Sequence, residues 1–316
     1  MKKLISLLAV LSLVLGLCAC AAAEGKTYNV GILQLIQHPA LDMATQGFKD
    51  ALTEKLGDKV VFDEGNASGD SSNCAQIAGR LVSKQVDLIM ANATPAMLAC
   101  ATATADIPVL GTSITNYESA MEIELTAEGA TGFNVSGTSD LAPLDGQADM
   151  IKELFPEAKT VGLLYCNAEP NSIFQIKKIE EYLAALGLEC KRYGFNDSND
   201  LASVVQTATE CDVLYIPTDN TAAGNTEAIA NVVIPAGVPV VAGEEGICAG
   251  CGVATLTISY YDIGYKTGEM AYDILVNGAD IAAMPIAYAP QFVKKYNAVN
   301  AAELNVTIPA DYLPIE

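Results

Sequence analysis

The chain has 316 residues, of which 51% are hydrophobic and 17% charged, a composition that excludes a disordered polypeptide and predicts a large packed core. A single core stops growing at about 250 to 300 residues, so two lobes are expected. The chain has 17 Lys and Arg residues and 38 Asp and Glu residues, so its net charge is −21. This charge excludes nucleic acid and anionic membrane surfaces as the main partner.

Residues 1–20 have the pattern of an export signal. Lys2 and Lys3 precede an apolar stretch that is shorter than the roughly 20 residues of a membrane-spanning helix. The end of this stretch resembles the bacterial lipobox, and Cys20 fits the lipidated position because a small residue precedes it. The sequence therefore predicts an extracytoplasmic lipoprotein anchored to the membrane through Cys20, with residues 21–27 as a tether. The alternative is an ordinary secretory signal that is cleaved a few residues later.

Apolar, β-branched segments alternate with helical patterns along the rest of the chain. Strands are predicted over residues 28–35, 60–63, 87–91, 109–113, 131–135, 161–165, 189–193, 213–217, 238–242 and 253–257. Helices are predicted between them, and the helices over residues 41–56 and 173–186 are each followed by a glycine. Strands this apolar on both faces belong to parallel sheets covered by helices on each side. The fold class is therefore α/β, with doubly wound parallel sheets.

An internal repeat divides the chain into two similar halves. The segment Val30-Gly31-Ile32-Leu33 matches Val161-Gly162-Leu163-Leu164, 131 residues further on. Two more apolar segments match in the same order: residues 86–89 with 211–214, and residues 107–110 with 238–241. We therefore predict two similar α/β lobes.

Seven cysteines follow Cys20, and their odd number and wide spacing differ from the dense disulfide framework of a small secreted domain. The sequence leaves their pairing open. Cys248 and Cys251 form a C-x-x-C motif, but a zinc site would lack further ligands because His38 is the only histidine of the chain. The motif predicts a local disulfide or two buried thiols, and no metal or other cofactor is expected.

The loops at the carboxyl ends of the strands predict the binding site, because such loops line the ligand crevice of an open parallel sheet. The strands matched by the repeat are followed by three such loops in each half. Their candidate ligand-binding residues are His38, Asp42, Asn92, Thr94, Thr112, Ser113, Asn167, Glu169, Asn171, Asp219, Asn220 and Glu244. None of the six loops contains Lys or Arg, which disfavours a phosphate or dicarboxylate ligand.

The chemistry of these loops favours a zwitterion. The acidic side chains Asp42, Glu169, Asp219 and Glu244 offer partners for an ammonium group, and loops that open into helices offer free N–H groups for one carboxylate. Thr94 either binds that carboxylate or caps the helix that starts beside it. An amino acid carries both groups and is the expected ligand.

Three parts of the sequence resemble a known family: residues 30–34 with 38–42, residues 91–96 and residues 217–221. They resemble the ABC-transporter substrate-binding lipoproteins of the TrpX type, and the resemblance covers essentially the whole mature chain. It implies a type I periplasmic-binding-protein fold, in which two lobes joined by a hinge close around an amino acid, aromatic in several members. It also implies an ABC permease with its ATPase as the partner, and we expect a monomer.

The resemblance further implies domain bounds and residue roles. Lobe 1 would contain residues 28–135 and 259–287, and lobe 2 residues 136–258 and 288–316, with the first crossover near residues 134–137. The implied roles are as follows: His38 and Asp42 line the first lobe's side of the cleft, Thr94 and Ser113 hold the ligand carboxylate, and Asp219 with Glu169 or Glu244 takes the ammonium.

Other interpretations stay open at this point. His38 fits a hydrogen bond at the start of a helix as well as it fits a ligand contact, and the Tyr260-Tyr261 pair fits packing at a helix start better than stacking on an aromatic ligand. An enzyme is not expected, because the chain contains none of the motifs H-E-x-x-H, G-x-S-x-G and G-x-x-x-x-G-K. A sensory protein coupled to a membrane receptor, or a binder of a nucleoside or sugar, is the alternative.

Overall fold

The computed structural model describes residues 26–315, which form two α/β lobes, each built on one sheet. The predicted export signal and Cys20 lie outside the described residues. Across residues 26–315, every helix is too short or too polar to cross a membrane.

The helices and strands alternate as the sequence predicts. Up to residue 139 they are, in chain order, β1 (Tyr28–Gln34), α1 (Pro39–Leu56), β2 (Val60–Asn66), α2 (Ser71–Ser83), β3 (Leu88–Asn92), α3 (Thr94–Ala103), β4 (Val109–Ile114), α4 (Tyr117–Met121) and β5 (Val135–Ser139). From residue 144 onward they are α5 (Leu144–Leu154), β6 (Thr160–Cys166), α6 (Pro170–Ala185), β7 (Glu189–Phe195), α7 (Ser198–Ala208), β8 (Val213–Ile216), α8 (Asn220–Ala223), α9 (Thr226–Ala236), β9 (Val240–Ala242), α10 (Glu245–Cys251), β10 (Ala254–Thr257), α11 (Tyr260–Leu275), β11 (Ala287–Tyr288), β12 (Val293–Tyr296), α12 (Ala298–Glu303) and β13 (Leu313–Pro314).

The first sheet has the strand order β2-β1-β3-β4-β5-β11, and its strand pairs are parallel. Val30 of β1 lies beside Phe62 of β2 on one side and beside Leu88 of β3 on the other. Every residue of β3 and β4 is buried, as expected for central strands of a sheet that helices cover on both faces.

The second sheet has the strand order β7-β6-β8-β9-β10-β12-β13, in which β12 pairs antiparallel with β10 and the other pairs are parallel. β6 takes the place here that β1 takes in the first sheet, and the next strands follow in the same order. The predicted fold class and the two similar lobes are confirmed.

The first crossing between the lobes lies later in the chain than the predicted one near residues 134–137. β5 begins at Val135, where the predicted strand ends, and runs to Ser139 within the first sheet, so the chain crosses after Ser139. Gly132 has a φ of +79°, which interrupts extended backbone before Val135. The rest of β5 is buried but contains small and hydroxyl-bearing residues, so it carries little of the apolar signal from which strands are predicted.

Two later crossings complete the connection between the lobes. After β10 the chain enters α11, which packs along α1 of the first lobe. A Cβ atom on Gly47 would lie 2.2 Å from the Tyr261 carbonyl oxygen, and one on Gly264 would lie 2.0 Å from that of Ala44. Both positions therefore need glycine. The third crossing follows β11, so Tyr288 belongs to the first sheet although lobe 2 was predicted to begin there.

Candidate functional site

A cavity lies between the two lobes at the carboxyl ends of their strands. Its walls come from loops of both lobes and from the second crossing, and the lining residues are His38, Leu41, Ser113, Thr115, Asp140, Asn171, Thr218, Asp219, Asn220, Ala223, Glu244 and Tyr260. The lining contains no Lys and no Arg, as the loop sequences predict. The cavity encloses about 10 Å³, which is the room of one water molecule.

The structure brings together half of the predicted binding residues in this cavity: His38, Ser113, Asn171, Asp219, Asn220 and Glu244. Two others lie outside it on the surface. Asp42 is exposed and accepts a hydrogen bond from Gln34 Nε2 at 2.7 Å, and it lines a separate surface pocket beside the end of β2. Asn167 is exposed and donates to the Asn196 side chain at 3.3 Å.

Three further predicted residues are buried behind the cavity wall. Asn92 donates from Nδ2 to the Leu41 carbonyl oxygen at 2.8 Å and to Thr45 Oγ1 at 3.0 Å, which fixes α1 against β3. The Thr112 hydroxyl lies 3.2 Å from that of Thr138. Thr94 is the first residue of α3, and its buried hydroxyl has no hydrogen-bond partner.

The first lobe holds one lining residue of the cavity, Ser113, and one residue next to the predicted Thr94 in strained backbone. Ser113 has a φ of +57° at an irregularity in β4, and Ala93, just before Thr94, has a φ of +82°. Such conformations cost non-glycine residues roughly 1–3 kcal/mol each and cluster at functional sites. The strain places the Ser113 hydroxyl at the cavity, where it is buried without a partner.

Glu169 organises the second lobe's side of the cleft. Its carboxylate accepts hydrogen bonds from the backbone and side chain of Asn220 at 2.9 and 2.7 Å, and from the backbone and hydroxyl of Thr221, both at 2.8 Å. Asn171 Nδ2 donates a fifth bond at 3.1 Å. A carboxylate has about four acceptor sites, so Glu169 is fully occupied by these internal donors and not by an ammonium partner.

Asp219 also accepts hydrogen bonds from groups of the second lobe. It caps α8 by accepting from the Ala222 N–H at 2.8 Å, and it accepts from the Cys166 N–H at 2.6 Å and the Ser172 hydroxyl at 2.8 Å. Burial, and then the neighbouring carboxylate of Glu169, raise the pKa of Asp219 above its ordinary value.

Two more carboxyl groups face the cavity. Asp140 accepts only from hydroxyl groups, those of Tyr260 at 3.0 Å and Thr115 at 3.3 Å, and burial raises its pKa to about 6. Glu244 caps α10 and accepts from the Gly246 N–H at 2.6 Å and from the Ile247 N–H. Burial raises the pKa of Glu244 to about 7.

Buried polar atoms without a partner make the cavity a candidate binding site. They include His38 Nδ1, Ser113 Oγ and Asn171 Oδ1, which belong to three lining residues. The other ring nitrogen of His38 lies 3.2 Å from Asn220 Oδ1 in the opposite lobe, and burial lowers the pKa of His38, which favours the neutral ring. Unpaired buried groups cost about 1–3 kcal/mol each, a cost that a bound ligand can offset.

The prediction from sequence missed some residues of the site. Asp140 and Thr115 line the cavity although neither was named from the sequence, and so does Tyr260, for which packing at a helix start was favoured over ligand contact. Gln175 spans the lobes by donating to Thr218 Oγ1 at 2.6 Å and Thr115 Oγ1 at 3.3 Å. Asp140 directly follows β5, so the carboxyl-end rule would have found it had that strand been placed correctly. Gln175 lies inside α6, and no pattern in the sequence singles it out.

Comparison with known proteins gives the family. The family model described as ABC transporter substrate binding protein matches residues 29–314. The chain belongs to this family. Its members are binding components of ABC importers that work outside the cytoplasm, so the chain is an extracytoplasmic binding protein and not an enzyme.

Individual relatives support the same assignment. A tyrosine-binding protein of Clostridioides difficile is 34% identical over 265 residues, covering 83% of this chain and 76% of that protein. A Streptococcus pneumoniae ABC domain in complex with L-Trp is 32% identical, with a TM-score of 0.86 over 90% of this chain and 97% of that one. The ligand-free, open structure of a Clostridium difficile substrate-binding protein with adhesive properties is 33% identical, with a TM-score of 0.69 over 92% and 99% of the two chains.

The two structural matches differ in how well they superpose on this chain, and the difference indicates how far its cleft is closed. Their sequence identities and coverage are nearly equal, yet the tryptophan complex superposes much better than the open structure. The lobes of this chain are therefore arranged more as in the tryptophan complex than as in the open structure.

Proposed function

We propose that this protein captures the zwitterion of an aromatic amino acid between its lobes and delivers it to an ABC permease. The observation that carries the proposal is the interlobe cavity, which combines unpartnered polar atoms, three buried carboxyl groups and a lining without Lys or Arg. Such a lining suits a ligand that brings its own positive charge.

The first lobe offers a place for the ligand carboxylate. The Ser113 hydroxyl lines the cavity without a partner. The Thr94 hydroxyl, also without a partner, lies behind the cavity wall at the start of helix α3, whose terminal N–H groups favour an anion. Both residues were expected from the sequence to hold the carboxylate. Their strained surroundings are consistent with a preformed site.

The ammonium group would lie between Asp140 and Asn171. Asp140 retains free acceptor sites, and the hydroxyl groups that bond it can rotate away, whereas Glu169 is fully occupied by internal donors. Asn171 Oδ1 is an acceptor without a donor. Asp219 supports the site electrostatically while it caps α8. This assignment moves the main ammonium contact from Asp219 to Asp140.

A neighbouring apolar pocket supports an aromatic side chain on the ligand. It shares Glu244 and Tyr260 with the cavity, and its apolar lining includes Met43, Ile258 and Tyr261. Its volume of about 530 Å³ falls within the usual range for small-molecule sites. Two of the relatives are described as binding tyrosine or tryptophan.

Ligand entry requires the lobes to separate, because the cavity holds only one water molecule. We propose that the three crossings act as the hinge, with lobe 1 formed by residues 28–139 and 260–288 and lobe 2 by residues 144–257 and 293–315. Small-angle scattering should show contraction when L-tyrosine or L-tryptophan is added to the free protein. An unchanged radius of gyration at saturation would argue against hinge closure.

We further propose that Cys20 carries a lipid that tethers the monomer beside its permease. The export signal in residues 1–20 supports this, together with the family's extracytoplasmic role. Labelling of cells with a radioactive fatty acid should mark the protein, and Cys20→Ala should abolish the label. Equal labelling of both forms would rule out lipidation at Cys20.

Calorimetry tests the ligand class most directly. The mature protein should bind L-tyrosine or L-tryptophan and should not bind a dicarboxylate, a phosphate ester or a neutral sugar. Tight binding of a dicarboxylate, a nucleoside or a sugar with no response to any amino acid would refute the proposal.

A further inference from the structure

A tight contact between the lobes lies outside the ligand cavity. Ile36 follows β1 in lobe 1, and Gly224 directly follows α8 in lobe 2; neither belongs to the lining of the cavity. A Cβ atom on Gly224 would lie 3.2 Å from Ile36 Cδ1, which is closer than two carbon atoms normally pack. His38 and Asn220, from the same two segments, also meet across the cleft at 3.2 Å. The segment after β1 and the turn of α8 therefore touch directly when the lobes are together.

The strand order places this contact away from the hinge. In the first sheet, β3 and β4 separate β1 from β5, after which the chain first crosses between the lobes. Three strand spacings of about 4.8 Å each put β1 roughly 14 Å from that crossing. In the second sheet, β9 separates β8 from β10, the strand before the second crossing. Rotation about the crossings therefore moves Ile36 and Gly224 well apart when the lobes open.

The backbone at position 224 does not itself require glycine. Gly224 has a φ of −74° and a ψ of −8°, a conformation that any residue adopts without strain. Within its own lobe, a Cβ atom there would meet the carbonyl oxygens of Asn220 and Thr221 at 3.5 and 3.8 Å, which are ordinary contact distances. Across the cleft, Ile36 is half-buried and packs against the apolar core of lobe 1, so it has little room to move away. Only the closed arrangement of the lobes opposes a side chain at position 224.

We infer that Gly224 and Ile36 are positioning residues for closure: the missing side chain at position 224 lets Ile36 pack against the turn of α8, so that the lobes close fully around the ligand. The inference rests on the proposed function and adds to it a contact outside the ligand cavity. A larger side chain at position 224 overpacks the closed cleft and leaves the open protein unstrained. Because its cost falls on the closed state alone, such a side chain weakens the binding of any ligand that needs closure.

Gly224→Val tests the inference in the mature protein, with L-tyrosine and, in parallel, L-tryptophan as ligands. Valine carries two heavy atoms on Cβ, so its bulk stays close to the backbone. Overpacking of this kind should weaken the affinity measured by calorimetry roughly 5- to 150-fold, and small-angle scattering should show less contraction than in the unmodified protein. The ligand-free variant should melt at no lower temperature, because replacing a glycine in an allowed conformation restricts the unfolded chain.

Gly79→Val is the matched control. Gly79 is exposed in α2, and a Cβ atom on it would meet no neighbouring group within 4 Å. Its affinity should stay within about twofold of that of the unmodified protein.

A double-mutant cycle identifies Ile36 as the partner of position 224. In the Ile36→Ala protein the shortened side chain makes room, so adding Gly224→Val should weaken affinity by only about twofold. An equal loss of affinity in the presence and absence of Ile36 would show that these two residues do not meet on closure, and would overturn the inference.

The remaining outcomes separate the inference from the proposed function. Full contraction and unchanged affinity in Gly224→Val would overturn the inference and leave the proposed function standing. Weaker binding together with a lower melting temperature of the ligand-free variant would place the defect in the folding of lobe 2 and would also overturn the inference. Failure of the unmodified protein to bind any amino acid would overturn both.

Discussion

The substitution Asp140→Asn removes the negative charge that we assign to the ligand ammonium and changes little else. Asp140 accepts two hydrogen bonds, both from hydroxyl groups, Tyr260 at 3.0 Å and Thr115 at 3.3 Å. In the variant, the amide oxygen can accept from one hydroxyl while the other rotates to accept from the new NH₂ group. The folded protein should therefore tolerate the change.

Ligand binding should respond strongly to the same substitution. Losing one partner of a buried charged pair costs about 2–5 kcal/mol of binding, or at least tenfold in affinity for L-tyrosine or L-tryptophan. Calorimetry at pH 7.5 measures the affinity, and thermal unfolding of the ligand-free variant checks the fold. Asp42→Asn is the matched control, because Asp42 is exposed outside the cavity, and its affinity should stay within twofold.

Three outcomes would count against this reasoning. Unchanged affinity in Asp140→Asn would show that Asp140 does not receive the ammonium group. Weak binding in both variants would show that Asp42 also acts in the cleft, as the sequence alone suggested. A large drop in the melting temperature of Asp140→Asn would instead indicate that Asp140 acts mainly in folding.

Three further predictions concern stability. Glu169→Gln should destabilise the fold by roughly 2 kcal/mol or more in urea unfolding, because the neutral amide cannot accept all five internal hydrogen bonds. A change within about 0.5 kcal/mol, as for an ordinary surface substitution, would contradict the role given to this residue. Gly264→Ala should unfold at a markedly lower temperature, since its Cβ atom would lie 2.0 Å from the Ala44 carbonyl oxygen; an equal melting temperature would mean that α1 and α11 separate easily. The ligand-free protein should lose stability as pH rises from 5 to 8, because Asp219, whose hydrogen-bond partners all belong to its own lobe, has a higher pKa in the folded than in the unfolded chain and the folded state then holds more protons; stability that rises with pH over this range would contradict the burial of this carboxyl group.

The sequence predicts the lobes well because the fold depends on repeated local patterns. The match between Val30-Gly31-Ile32-Leu33 and Val161-Gly162-Leu163-Leu164 corresponds to β1 and β6, which occupy equivalent places in the two sheets. Strand ends then indicate which loops meet. β5 was misplaced because its buried residues are small and polar, and Asp140 was missed with it.

The roles of individual side chains depend on contacts that the sequence does not reveal. Glu169 was expected to bind the ammonium, but the loop at residues 220–221, some fifty positions away, supplies donors to its carboxylate. Asp42 and Asn167 belong to the predicted loops, yet their side chains turn toward Gln34 and Asn196 on the outside. A loop can thus be identified from sequence while the direction of its side chains cannot.

The edges of the two sheets bear on how this protein avoids aggregation. β11 and β13 end their sheets with only two residues each, and β13 includes Pro314. On the opposite edge of the first sheet, β2 carries Asp63, which forms ion pairs with Arg80 and Lys84. Short strands, proline and charge all hinder pairing with a strand of another molecule. The sheet edges of one molecule therefore offer few free backbone groups to the sheet edges of a second copy, even at high local concentration.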